Sequence, residues 1–218
     1  IVFGDWSSDV CSSDLLRSRV RDSAEGAALR TFVRARRMRE EYKLDPEWML
    51  SLEQRLGARL EWRLPQAHAI YWASRGLTCA RTSFDNIALR REIFQSLGEA
   101  FLRGRLTLDV DRDLFVLSPD LALLPAVRSA YADVMKEHPG EPTVLQAHRN
   151  FLVDAIMICA TYNRMEQARE LYAELVSRYP EGQPKTVEQF IPETWSRRAE
   201  DLDTGQALAA VESALYQS

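Results

Sequence analysis

RNFLVDAIMICATYNRMEQARELYAELVSRYP, residues 149–180, decides the reading of the fold. Apolar and small residues recur at helical spacing on both sides of its centre, with Leu152, Ala155, Ile156 and Cys159 before it and Ala168, Tyr172 and Leu175 after it. Asn163 followed by Glu166 is a start signal for the second helix, the acid at the third position reaching back to the cap. The segment therefore reads as two amphipathic helices folded back on each other.

Working outward, Thr143 with Gln146 is expected to cap the first of these helices, and Thr186 with Gln189 to cap the next helix after Pro180. Pro192 falls in the first two turns of that next helix, which is expected to be shortened or displaced by it. A last apolar-periodic run, TGQALAAVESALY, follows. Upstream, Ser118 and Pro119 open a helical region that Pro125 is expected to break before AVRSAYADVMKEHPG.

Residues 105–117 interrupt the helical pattern. Leu106, Leu108 and Val110 alternate, and the apolar run resumes at Leu114 after a polar turn, so a two-stranded hairpin is expected there. Asp109, Asp111 and Asp113 have the spacing of a calcium loop, with Asp120 where its closing acid stands. Leu114 occupies the position at which such a loop turns on glycine, and the closing acid is Asp rather than Glu. The carboxylates are read as belonging to a solvated hairpin turn.

The first hundred residues are also helical by pattern. Asp22 to Tyr42 is a run of helix formers with Leu29, Phe32, Val33 and Tyr42 available for one face. Asp45–Pro46 opens a short helix ending at Gly57, and Pro65 opens another closed by Gly76. Asp85 is expected to cap a longer helix carrying Ile87, Phe94, Leu97, Phe101 and Leu102, with Gly104 as its stop. Trp48, Trp62, His68, Ile70, Tyr71 and Trp72 gather in this region and are read first as core. Residues 17–43 hold nine Lys and Arg against four Asp and Glu, and read as a solvated helical face.

Composition bounds function more than it assigns it. The 218 residues are 46% hydrophobic and 28% charged, as in ordinary globular domains. A net charge of -4 argues against nucleic acid as the main partner. The longest apolar run, FLVDAIMICATY, is broken by Asp154 and is far shorter than the roughly 20 residues of a membrane span. Cys11, Cys79 and Cys159 lie far apart, which argues against a disulfide framework or a zinc site. His68, His138 and His148 have no metal-ligand spacing, and His138 is placed to meet the carbonyls at a helix end. No nucleophile elbow, zincin motif or phosphate-binding glycine loop occurs, so no catalytic, cofactor or metal residue is assigned from the sequence.

The segment from Arg149 to Pro180 resembles a tetratricopeptide repeat. That family places a small residue early in its second helix, an aromatic four later, an apolar residue three later and a proline at the end of a unit of about 34 residues. Ala168, Tyr172, Leu175 and Pro180 stand at those spacings, while Ile156 replaces the small residue of the first helix and points to a wider hairpin. Val127, Tyr131, Val134 and Pro139 repeat the second-helix spacing, and the two prolines are 41 residues apart. The resemblance implies an all-α, irregular array of antiparallel helical hairpins, a TPR-like α-solenoid, with the β-hairpin of residues 105–117 inserted.

Four regions follow. Residues 1–15 resemble translated sequencing-adapter sequence and are set aside as a leader, residues 16–104 form an N-terminal helical region, residues 105–117 the insert, and residues 118–218 the repeat-like hairpins. The last of these ends inside an apolar-periodic helix, so the array is expected to continue. Arrays of this kind stack to bury their apolar faces and leave a surface for a protein or peptide partner, so the resemblance implies a non-enzymatic scaffold. Two alternatives remain at this level. One is a helical accessory domain of an enzyme with a pocket near His68, Tyr71 and Trp72, and the other is nucleic-acid binding through the Arg-rich helix around Arg34 to Arg39.

Overall fold

The computed structural model describes residues 23–109, 114–181 and 186–201. Residues 1–15, Asp111 and Asp113, Cys11 and the final run TGQALAAVESALY lie outside the described residues. The chain falls into two compact units that part within one helix, the first ending at Leu52 and the second starting at Glu53.

In the first unit, α1 spans Ala24–Glu40 and begins where the Ser23 hydroxyl accepts the Gly26 N–H at 3.0 Å. That bond satisfies an amide that has no partner inside the helix. Leu29, Phe32 and Val33, the apolar face read from the sequence, are more than half exposed. Past the helix, Lys43 adopts a φ of 58°, and the Leu44 N–H reaches back to the Met38 carbonyl at 3.0 Å. Helix α2, Pro46–Leu56, starts as expected, with Asp45 accepting the Glu47 N–H at 3.3 Å. Gly57 follows it at a φ of 66°, a conformation glycine adopts without strain.

The second unit continues with α3 (Pro65–Leu77), α4 (Ser83–Arg103), strands β1 (Arg105–Asp109) and β2 (Leu114–Ser118), and a 3₁₀ turn at Leu121–Leu123. Then come α5 (Leu124–Glu137), α6 (Pro142–Thr161), α7 (Met165–Arg178) and α8 (Val187–Asp201). Each helix from α3 to α7 packs on the next, and α8 packs on both α6 and α7. Contacts between the start of one helix and the end of its neighbour, such as Arg90 with Glu137 and His148 with Tyr179, give this series its fold-back character. The class is thus mainly helical with one small antiparallel sheet, as the sequence leads one to expect. No helix among the described residues is long and apolar enough to cross a membrane.

Aromatic rings run through the packed layer. Phe94 of α4 lies 4.5 Å from Tyr131 of α5, which stacks at 5.5 Å on Phe151 of α6, and Phe151 meets Phe101 of α4 edge-on at 5.7 Å. Ring pairs of this geometry add to the stabilisation from area burial alone. Leu152, Ala155, Ile156 and Cys159 of α6 and Ala168 and Leu175 of α7 are fully buried, so the residues that suggested a hairpin are those that close it.

The hairpin β1–β2 pairs Arg105 with Ser118 through to Asp109 with Leu114. Leu106 faces Leu117 and Leu108 faces Phe115 across the strands, an apolar face on which Phe115 is 69% exposed. Gly104 ends α4 as expected. A Cβ there would stand 2.0 Å from the Ala100 carbonyl oxygen, which only glycine avoids.

Several local expectations are corrected. Gly76 does not close α3, which runs on to Leu77; a Cβ at Gly76 would lie 2.9 Å from a Leu89 methyl, so the glycine serves a close approach of α3 and α4. Helix α4 starts at Ser83, which puts Asp85 in its first turn instead of at its cap. Pro125 does not break a helix but sits in the first turn of α5, where its missing N–H costs nothing. The capping box at Thr143 does not form, because Pro142 starts α6 one residue earlier and the Thr143 hydroxyl instead bonds Glu141 and Arg91 at 2.9 and 2.8 Å. Asn163 does not cap α7. It takes a φ of 56° behind α6, where its N–H bonds the Ala160 carbonyl and the Arg164 N–H bonds that of Cys159, the two bonds of a Schellman turn. Helix α8 runs 15 residues through Pro192 and is neither shortened nor displaced by it.

Thr186 does cap α8, its hydroxyl accepting the Gln189 N–H at 3.3 Å. Thr186→Ala is therefore expected to destabilise the protein by about 1 kcal/mol. Urea denaturation checks it, and an unchanged midpoint would contradict the cap.

Candidate functional site

Two features of the second unit stand out among the described residues, a surface groove and a buried polar cluster. The first is a groove of about 600 Å³ between the start of α5 and the middle of α7. Strand β2 delivers the chain to Asp120, whose carboxylate accepts the Ala122 N–H at 3.1 Å and so fixes the 3₁₀ turn that forms one wall. Leu121, Ala122, Leu124 and Pro125 give that wall an apolar surface, with Arg128 one turn further along α5. Gln167, Glu170 and Leu171 of α7 form the facing wall. The groove thus has one apolar wall and one that is largely polar.

The second feature is a polar cluster beside it. His148 near the start of α6 is 1% exposed, with Nδ1 3.0 Å from the Tyr179 hydroxyl and its ring 5.0 Å from that of Tyr131. Its Nε2 lies 3.6 Å from Glu174 Oε1. Glu174 in turn accepts a hydrogen bond from Arg128 at 2.8 Å and lies 3.4 Å from Arg178 Nε. The carboxylate favours the tautomer with the proton on Nε2, which leaves Nδ1 to accept from Tyr179. Burial pushes the His148 imidazole down to about 4; Glu174 opposes the shift, while Arg178 and Arg128 add to it. The ring is therefore neutral near pH 7. Burial, reinforced by Asp154 and Tyr179, likewise raises the Tyr131 phenol. Buried and fully engaged, His148 ties α6 to α7 and does not present an acid or base to a ligand.

Arg128 belongs to both features, lining the groove and holding Glu174. Sequence spacing alone did not reveal the cluster, since its members are scattered over α5, α6 and α7. One signal was available. His148 and Tyr179 are nearly equidistant from Asn163, so a helical hairpin turning there places them opposite each other.

The residues singled out in the sequence are placed as follows. His68 Nε2 is 2.9 Å from the Trp62 carbonyl oxygen, and the Trp62 indole donates to Glu53 at 2.8 Å. Tyr71, 1% exposed, contacts Trp62 and Trp72 edge-on, and Trp72 is 50% exposed. Tyr71 and Ile70 are thus core, and Trp72 stands at the surface, while Trp48 belongs to the first unit. On α1, Arg36 pairs with Glu40 and Arg37 with Glu41, and Arg39 reaches Asp45 and Glu47. His138 caps the end of α5, where its backbone N–H bonds the Val134 carbonyl at 2.8 Å. Asp120 of the acidic series serves as the cap described above. Among the described residues, no three His, Cys, Asp or Glu side chains are placed to hold a metal ion.

The chain matches no family model, and no curated protein or solved structure is significantly similar to it.

Proposed function

We propose that the protein is a non-enzymatic helical-repeat scaffold that binds a peptide or protein segment in the groove between α5 and α7. The observation that carries this reading is the groove itself, about 600 Å³ in volume and walled by Leu121, Ala122, Leu124 and Pro125 against α7. The fold-back series from α4 to α7 supports it, because each helix there buries its apolar face on a neighbour and keeps the groove walls in register. The tetratricopeptide resemblance adds the expectation of a binding surface on such a series. In this reading Val127, Tyr131 and Val134 of α5 and Ala168, Tyr172 and Leu175 of α7 are packing residues that set the spacing of the two walls.

A library of random linear peptides displayed on phage tests the proposal. Enriched peptides are expected to bind the intact chain and to lose about tenfold or more in affinity on Ala122→Trp, which fills the groove from an exposed position. Failure to enrich any peptide, or enriched peptides that bind Ala122→Trp as well as the original, would overturn it.

A further inference from the structure

We propose that β1 pairs edge to edge with β1 of a second copy of this chain, antiparallel and centred on Thr107, so that two hairpins join into one sheet. Neither the groove nor its ligand enters into this contact.

The hairpin is incomplete within one chain. Two strands alone are marginal in water, and an apolar sheet face is stabilised by a further strand or a covering helix. Here Leu108, Phe115 and Leu117 are 52%, 69% and 38% exposed, and the main neighbour of β1 among the described residues is β2. The outer edge of β1 is open backbone. The Ser118 hydroxyl donates to the Arg105 carbonyl from the β2 side at 3.5 Å, whereas the Leu106 carbonyl accepts from Arg63, off the sheet, at 3.4 Å. Backbone direction alternates along an antiparallel strand, so Leu106 and Leu108 both turn their N–H and C=O outward. Arg63 has its nearer partner in Glu61, at 2.7 and 2.6 Å, and pairing displaces only its longer bond.

The sequence of β1 selects the partner. RLTLD, residues 105–109, has a cation at one end and an acid at the other, with Thr107 between them. Laid antiparallel on itself about Thr107, it sets Arg105 opposite Asp109, Leu106 opposite Leu108, and Thr107 opposite its own copy. The outward groups of Leu106 and Leu108 then bond each other, and the apolar face continues across the junction. Arg105 is exposed and has no ion pair among the described residues. A shift by two residues sets Arg105 opposite Thr107 and loses both charge pairs. Charges on an edge ordinarily discourage pairing, but opposite charges directly across a ladder stabilise it. These two therefore favour one partner and one register. Strand β2, LFVLS, carries no charge that would do the same.

Sedimentation velocity over a concentration series tests the proposal on the full chain, with circular dichroism checking the fold of each variant. The unaltered protein is expected to pass from monomer to dimer as concentration rises, and the dimer to weaken as salt is added. Arg105→Asp and Asp109→Arg are each expected to weaken it about tenfold or more, because each sets like charges opposite one another at both ends of the pairing. Mixed in equal amounts, the two variants are expected to recover the dimer, since each then meets its opposite charge on the other. A chain that stays monomeric at every concentration, leaving the edge to a strand of another protein or to none, would overturn the proposal. So would a dimer indifferent to salt and to both variants, or weakened variants that do not recover on mixing.

Discussion

Ile156→Ala is expected to lower the stability of the fold by about 2–5 kcal/mol, a large share of the 5–15 kcal/mol typical of a domain. The position is informative because the repeat pattern asks for a small residue there, and a chain built to that pattern would lose little on receiving one. Here the isoleucine is fully buried, in a helix whose Leu152, Ala155 and Cys159 are equally covered. Removing three carbons from such a site forfeits their transfer energy and leaves a cavity that the neighbouring helices close only in part. Urea denaturation followed by circular dichroism measures the loss. A shift worth less than about 1 kcal/mol would mean that the space around residue 156 collapses freely, and that the hairpin is closed by contacts other than this one.

Local punctuation was legible in the sequence where a single physical requirement acts alone. Asp45, Gly104 and Thr186 each do one job, capping or ending a helix, and the residue type names it. Reading failed where two requirements compete for the same residue. A proline at the first helical position overrides a downstream threonine cap, so α6 starts at Pro142 and Thr143 is released to bond Arg91 and Glu141. Asn163 suits both an N-cap and a left-handed turn, and the second need prevails because the chain must reverse between α6 and α7. Gly76 reads as a helix stop, yet a helix stop and a close helix contact both ask for a missing Cβ, and only packing against Leu89 tells them apart. The groove and the His148 cluster were out of reach for a different reason. Arg128 and Glu174 are 46 residues apart, and nothing in local spacing links them.

Acidification is expected to draw on that cluster. The imidazole of His148 titrates near 6.5 when free and near 4 in the fold, the shift coming first from burial. Between those values the unfolded chain takes up a proton that the folded chain refuses, so stability is full above about pH 6.5, falls as the pH is lowered, and levels off for this group below about 4. A gap of that size corresponds to about 3 kcal/mol. The groups facing the ring set the direction. Arg128 from α5 and Arg178 from α7 oppose its protonation, and Glu174 of α7 favours it, but Glu174 is already shared between those two arginines and does not offset the loss of water. His148→Phe keeps a ring between Tyr131 and Tyr179 and removes the titration. Urea midpoints compared at pH 7.5 and 4.5 are expected to fall more for the original chain than for the variant, by about 2–3 kcal/mol of stability. Carboxylates elsewhere titrate in both proteins alike, so only the difference between the two profiles belongs to His148. Parallel profiles would show that the histidine admits its proton as readily folded as unfolded, and that the α6–α7 contact around it opens to water.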